Sequence, residues 1–237
     1  MSKTIWDRFA PIYSLAMKSQ KNIYDYMYSH IREKVKGKDV LELATGPGLI
    51  AKHVADATNK MVATDFSPAM IAQAKKGDVP ANLTFEIADA SDLQYEDNFF
   101  DVVIIANALH VIPNPEKVLS EIDRVLKNDG LLICPTFIHR SADKKENLWA
   151  KILKLAGVKF AHQWTAEEFK NLIEGNGWKI TASQIISGRI DLFYAECAGK
   201  SATLTQNYRS DCPMDGGLIS PHESPTLDAE RRGMVFS

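Results

Sequence analysis

Apolar residues return at helical spacing through the first part of the chain: Ile5, Phe9, Ile12, Tyr13, Ile23, Tyr26, Met27 and Ile31. That one-sided recurrence predicts helix over 4–36, broken near Pro11 and stopped at Gly37. The next apolar run, Val40, Leu41 and Leu43, is short and ends in a glycine turn. It predicts a buried strand over 39–44 and a helix over 49–57. The alternation then repeats, with strand over 61–64, helix over 67–76 and strand over 83–88. Strand over 100–106, helix over 116–126 and strand over 130–137 follow. Strands alternating with helices of this length predict a parallel sheet covered on both faces. Two capping signals fix the helix starts. Ser67 precedes Pro68, and Thr165 has Glu168 three positions on.

Past about 141 the rhythm changes. Leu148, Ile152 and Leu155 mark an amphipathic stretch, and a capped helix over 166–174 ends at Gly175 and Gly177. Strands over 178–186 and 190–197 are joined by Ser187, Gly188 and Arg189, which reads as an antiparallel hairpin. From Gly199 the periodicity stops. Residues 200–237, rich in Ser, Thr, Pro, Gly and acidic groups, bury too little apolar surface to offset ordering, which predicts a disordered tail. The organisation expected is an N-terminal helical cap (1–37), an α/β domain (38–199) and the tail.

Composition narrows the function classes. The 237 residues carry 28 Lys+Arg against 30 Asp+Glu, a formal charge of −2. That balance disfavours a broad electrostatic hold on nucleic acid or anionic membrane. The apolar runs fall well short of the ~20 residues a spanning helix needs, so no stable membrane insertion is expected. Residues 1–20 mix charge with aromatics and lack the apolar core of a leader. The three cysteines, Cys134, Cys197 and Cys212, form no C-x-x-C pair. A reducing, cytoplasmic setting is expected, and no metal site, since no cluster has ligand spacing.

The chemistry begins at Glu42-Leu-Ala44-Thr45-Gly46-Pro-Gly48. Glycines between a strand and a helix let a ligand approach the backbone. Gly46, Gly48 and Ala51 match the dinucleotide fingerprint G-x-G-x-x-A, and Asp65 lies near the ~20-residue offset of a ribose-binding carboxylate. The glycine loop by itself leaves two cofactors open, a nicotinamide dinucleotide or a nucleoside carrying a cationic amino acid. Glu42 stands where it can accept from an ammonium or order the loop. Asp89, between Ala88 and Ala90, is placed to accept from an adenine amino group. Polar groups from Asn107 to His110 and on to Pro113 follow the fourth strand, at the edge where open α/β sheets bind ligands. Acids flanking a glycine loop with no phosphate-binding lysine suit the second cofactor better.

The ordered string is Leu41-Glu-Leu-Ala-Thr-Gly-Pro-Gly48, Ala63-Thr-Asp-Phe-Ser-Pro-Ala-Met70, Ala88-Asp-Ala90 and Phe99-Phe-Asp-Val-Val103, with Ala108-Leu-His-Val-Ile-Pro113 after it. With Glu121-Ile-Asp-Arg-Val-Leu-Lys-Asn-Asp-Gly130 and Trp164-Thr-Ala-Glu-Glu168, it resembles the class I S-adenosylmethionine-dependent methyltransferases. Within them it is similar to the small-molecule subgroup that includes the quinone-biosynthesis enzymes. The resemblance covers about 6–198. It implies a Rossmann-like, seven-stranded, mostly parallel α/β sheet with a terminal antiparallel hairpin, which a dinucleotide dehydrogenase would not require. It implies methyl transfer from S-adenosyl-L-methionine to a small-molecule acceptor, with S-adenosylhomocysteine as product. For the cofactor it implies that Ala44, Thr45, Gly46 and Gly48 lie against the methionine and ribose, supported by Glu42. Asp65 receives the ribose hydroxyls, Phe66 and Met70 cover the adenine, and Asp89 with Ala90 takes its amino group. Asn107 offers its backbone carbonyl near the methionine amine. The family often has glycine where this chain has Ala44.

On the acceptor side, His110 is the candidate general base, and His139 is a second group facing the site. His30, His53 and His162 read as surface, packing or loop residues. Trp6, Phe9, Tyr13 and Tyr26 read as packing aromatics, although in similar enzymes the N-terminal helices cover the cofactor, which makes Tyr13 the candidate lid contact. Trp149, Phe160 and Trp164 are candidates for the opposite wall. A nucleic-acid acceptor is disfavoured by the absence of Asn/Asp-Pro-Pro-aromatic after the fourth strand. An NAD(P)-dependent oxidoreductase and an inactive cofactor-binding scaffold are the competing readings.

Overall fold

The computed structural model describes residues 20–139 and 161–199. Trp6, Phe9, Tyr13, the stretch around Leu148 to Leu155, Trp149, Phe160 and the tail over 200–237 lie outside the described residues.

Helix α1 (Lys21–Lys34) buries Ile23, Tyr24, Met27 and Ile31 on one stripe and leaves its charges outside. Strand β1 (Asp39–Leu43) runs into α2 (Leu49–Val54), which tightens into a 3-10 turn at Ala55–Ala57 where continuous helix was expected. Then come β2 (Lys60–Asp65), α3 (Pro68–Ala74), β3 (Leu83–Ile87), β4 (Phe100–Ile105), a 3-10 turn (Leu109–Val111) and α4 (Pro115–Val125). Strands β5 (Leu126–Ile133) and β6 (Thr136–Ile138), helix α5 (Ala166–Gly175) and the hairpin β7 (Lys179–Ile186) and β8 (Asp191–Ala198) follow.

Both capping signals form. Ser67 Oγ accepts from Met70 N at 3.2 Å ahead of Pro68. Thr165 Oγ1 accepts from Glu168 N (3.2 Å) while Glu168 Oε2 accepts from Thr165 N (2.8 Å), a closed capping box. Each such cap contributes about 1 kcal/mol.

The sheet order is β3-β2-β1-β4-β5-β8-β6, with β7 on the other side of β8. Strands β1 to β5 pair in parallel, and β8 is antiparallel to β5, β6 and β7. β5 and β6 continue one line along β8: Ile133 faces Glu196, then Thr136 faces Phe193. The line breaks at Pro135, which has no N–H to donate, while Cys134 N still reaches Ala195 O at 3.0 Å. The expected single strand over 130–137 is thus two pieces, and it starts earlier, at Leu126, directly off α4. Counted as lines, the sheet has the seven strands expected among the described residues.

Successive strand residues feed opposite faces, as the pleat requires. Leu41, Leu43, Val103 and Ile105 join α4 and α5 in one core. Val40, Val102 and Ile104 join α1, α2 and α3 in the other. Strands buried on both faces between helical layers are the parallel-sheet solution. The consequence for function is directional. β1, β2, β3 and β4 all point the same way, so the residues just after them gather on one edge.

Candidate functional site

That edge opens into a cavity of about 450 Å³, within the range of small-ligand sites. Its wall includes Ala44 and Gly46 after β1, Asp65, Phe66 and Met70 after β2, Asp89 and Ala90 after β3, and Asn107 after β4. Eight of the residues read from the sequence as cofactor contacts therefore meet in one cavity. Glu42, Thr45, Gly48, His110 and His139 are not in its wall.

Gly46 and Gly48 turn out to do different work. At φ +57, Gly46 faces open space and its N–H donates to Asp65 Oδ2 at 2.8 Å. At φ +76, Gly48 has the Phe85 ring where a Cβ would sit, 2.8 Å away. The first leaves room for a ligand, whereas the second lets the start of α2 pack against the sheet. Ala44 holds a left-handed φ of 51°, which costs an L side chain roughly 1–2 kcal/mol and gives a physical reason for glycine in similar enzymes.

Asp65 ties two loops together. Oδ2 holds Gly46 N, and Oδ1 accepts from Ser67 N at 2.8 Å. A carboxylate has about four lone-pair positions, so this bridging leaves capacity for ligand hydroxyls. Asp89 is oriented by Ser91, whose N–H and hydroxyl both donate to Oδ1 at 2.8 Å. Glu42 lies beneath the glycine loop, 2% exposed, and its Oε2 accepts from Thr45 Oγ1 at 2.8 Å. Burial pushes its carboxyl up to about 8. The Thr45 and Ala51 hydrogen bonds only partly oppose that, and the Asp65 charge adds to it. Glu42 orders the loop from behind rather than from the wall.

Asn107 is also left-handed, at φ 52°. Its N–H is anchored on Pro135 O at 2.8 Å, and its Oδ1 is buried with no hydrogen-bond partner among the described residues. A buried orphan acceptor is uncommon and suits a ligand that brings a donor.

His110 sits on the short 3-10 turn behind the wall made by Val111, Ile112 and Pro113. Its Nδ1 is 3.5 Å from Thr136 Oγ1. Burial, then the neighbouring His139 and His162, lowers its pKa to about 4. The segment before α5 is stitched here: His139 N donates to Trp164 O (2.9 Å) and His162 N to His110 O (3.0 Å). His162 stacks on Trp164 with ring centroids 5.0 Å apart. Among the described residues no three His, Cys, Asp or Glu side chains group as a metal site. His30 and His53 stack on Tyr26 and Tyr28, away from the cavity.

The sequence reading passed over Ser91, Asn114, Lys117 and Val118, all in the wall. Asn114 before Pro115 is the same cap-and-proline signal as Ser67 before Pro68, and Lys117 N donates to Asn114 Oδ1 at 3.3 Å. It would have brought the first turn of α4 to this edge.

Residues 41–134 match the family described as Methyltransferase domain. A demethylmenaquinone methyltransferase of Paenarthrobacter aurescens is 35% identical over 120 residues, covering 51% of this chain and 47% of that protein. The ubiquinone/menaquinone biosynthesis C-methyltransferase UbiE of Rickettsia akari is 30% identical over 183 residues, 64% of this chain and 72% of that protein. The chain belongs to the class I S-adenosylmethionine-dependent methyltransferases. The chain spans about half the length of the demethylmenaquinone methyltransferases it matches. Its fold is shared by a chain of the complex between the Haloferax volcanii Trm112 methyltransferase activator and a methyltransferase. The TM-score is 0.67 at 17% identity, covering 82% of this chain and 97% of that one.

The donor set of the cavity fits the cofactor of this family. Asp65 and Asp89 offer carboxylate acceptors, Asn107 offers an orphan acceptor, and Phe66 is 57% exposed at the wall. The nicotinamide reading gains nothing from the sheet. A dinucleotide-binding sheet continues in parallel past its fifth strand, whereas here the neighbour of β5 runs antiparallel.

Proposed function

We propose that the protein transfers a methyl group from S-adenosylmethionine to a small-molecule acceptor and releases S-adenosylhomocysteine. The observation that carries this is the cavity, where Asp65, Asp89 and Asn107 converge from three successive strand ends. When bound, the cofactor supplies an electrophilic methyl on a sulfonium. The chain's part is to orient and to exclude water, because in-line displacement needs positioning and desolvation above all. In this reading Asp65 holds the ribose hydroxyls, Asp89 with Ala90 the adenine amine, and Asn107 the ammonium. Ala44, Thr45, Gly46 and Gly48 shape the methionine side, with Glu42 beneath them, and Phe66 and Met70 cover the base.

His110 and His139 are the acceptor-side groups of this reading. With a pKa of about 4, His110 is neutral at physiological pH and able to accept a hydrogen bond. It is a weak base there, since proton abstraction is most effective near the operating pH. From behind the wall its contribution in this reading is to brace the turn that shapes the acceptor side. The named relatives act on quinone precursors, which supports a small organic acceptor. Among the described residues no helix is long and apolar enough to cross a membrane. The free buried thiols Cys134 and Cys197 suit a reducing, cytoplasmic setting.

Calorimetric titration with S-adenosylhomocysteine, with NADH as control, tests the cofactor half. Micromolar binding of the first alone is expected, and binding of NADH alone would sink the reading. Methyl transfer to demethylmenaquinol-type acceptors in a labelled-cofactor assay tests the rest. No turnover by a cofactor-loaded protein across a broad acceptor panel would favour the inactive scaffold.

A further inference from the structure

The loop from Ala88 to Phe99, twelve residues without regular structure, carries Asp89, Ala90 and Ser91 into the cavity wall before it reaches β4. Loops of that length need anchoring to hold one geometry. Here the anchor comes from α4. Glu121 Oε2 accepts from Leu93 N at 2.8 Å, and Arg124 Nη2 donates to Leu93 O at 2.8 Å, so both backbone polar groups of one residue are held. Arg124 Nη1 donates to Tyr95 O (2.7 Å) and to Asp97 Oδ1 (2.8 Å). Its Nε and Nη2 grip Glu121 at 3.1 and 2.9 Å. Leu93 itself is 3% exposed. Asp92 N closes a turn onto Asp89 O at 3.0 Å, one residue before the held position.

Helical spacing puts the two functions on one rod. Lys117 and Val118 line the cavity, and Glu121 and Arg124 follow one and two turns on, where i+3 and i+4 neighbours share a face. We infer that Arg124 and Glu121 are positioning residues that set where Asp89 stands in the cavity, and so govern discrimination for the cofactor's adenine amine. The inference rests on the reading of Asp89 as the adenine acceptor. The planar fork is what the task needs: three guanidinium nitrogens serve five oxygens at fixed angles, which a lysine ammonium cannot reproduce.

The test compares two ligands on the full chain, S-adenosylhomocysteine and S-inosylhomocysteine, in which a carbonyl replaces the adenine amine. The wild type is expected to prefer the first by about tenfold, the worth of one hydrogen bond to a charged group. Arg124→Gln is expected to weaken S-adenosylhomocysteine by about tenfold and the inosine analogue by no more than about twofold, collapsing the preference. Asp89→Ala should collapse it alike, and the double variant should lose little more than either single one. Arg124→Lys and Asp97→Asn, which disturb the clamp less, should shift the preference partway, and they keep the test open if Arg124→Gln does not fold. Equal losses for both ligands, or an unchanged preference in all folded variants, would overturn the clamp. A wild type that binds neither ligand would overturn the cofactor reading instead.

Discussion

The two halves of the sheet use their strands differently. In the parallel half, β3-β2-β1-β4, every carboxyl end points to the same edge, and each contributes to the cavity. In the other half β8 runs backwards between β5 and β7, so its carboxyl end lies on the opposite edge. No residue of the β7–β8 hairpin lines the cavity. The hairpin is fastened instead to α1: Arg189 N donates to Gln20 Oε1 (3.1 Å), Asn22 Nδ2 to Ser187 O (3.0 Å) and Tyr26 OH to Gln184 Oε1 (2.8 Å). Lys34 Nζ pairs with Glu196 Oε2 at 2.7 Å, where Glu196 is almost buried. One half lines the cavity and the other closes the sheet: β8 is set apart by its direction, and β7 by its place beyond β8.

Mutations should separate them too. The largest effect is expected in the parallel half. Asp65→Ala removes the acceptor shared by Gly46 N and Ser67 N and, in the proposed reading, by the ribose, and should weaken S-adenosylhomocysteine by about 1.5–3 kcal/mol per lost bond. Titration calorimetry reads this, and wild-type affinity in a folded variant would break the assignment. In the hairpin half, Lys34→Ala leaves Glu196 without its cation. Stability should fall by about 1–3 kcal/mol in urea denaturation with affinity unchanged. A loss of affinity at native stability would erase the division of labour.

Glu42 sharpens the comparison through pH. Its folded pKa of about 8 lies above its ordinary 4.5, so the native state holds the proton longer than the unfolded chain. Between about pH 4.5 and 8 the folded form binds more protons, and stability falls as pH rises across that window. Glu42→Gln keeps an oxygen for the Thr45 hydroxyl and carries no charge. It should flatten that slope, with its advantage over the wild type greatest near pH 8 and vanishing toward pH 4.5. Parallel slopes for the two proteins would refute the buried-acid account. The smallest effect is Ala44→Gly, expected to raise stability by about 0.5–1 kcal/mol by relieving the left-handed alanine. A drop in melting temperature would mean the methyl packs better than its backbone suffers.

The parallel half was also the more legible in sequence. Short apolar runs each followed by a glycine, an aspartate or an asparagine mark strand ends, and because those strands are parallel the marks are neighbours in space. Asp65 and Asp89 could be placed from that alone. His110 could not, because a 3-10 turn sets which way its ring faces, and neither periodicity nor capping encodes that turn. The break at Pro135 was visible as a proline, yet its effect depends on pairing with β8, some sixty residues away in the chain. The clamp residues Glu121 and Arg124 lay inside the string over 121–130, but the string does not reveal what they hold, since most of it on the loop is backbone.

That break has a consequence for the order in which the protein is made. The wall residues of the cavity all precede residue 119, so a ribosome delivers them early. Asn107, however, is anchored on the carbonyl of Pro135, and the β6 stretch beside it is paired with Leu192 and Phe193 of the last strand. A nascent chain released before residue 191 would carry every wall residue and Pro135 itself, and still lack the strand that pairs with the β6 stretch beside that brace. The site is assembled from the front of the message and locked from its end.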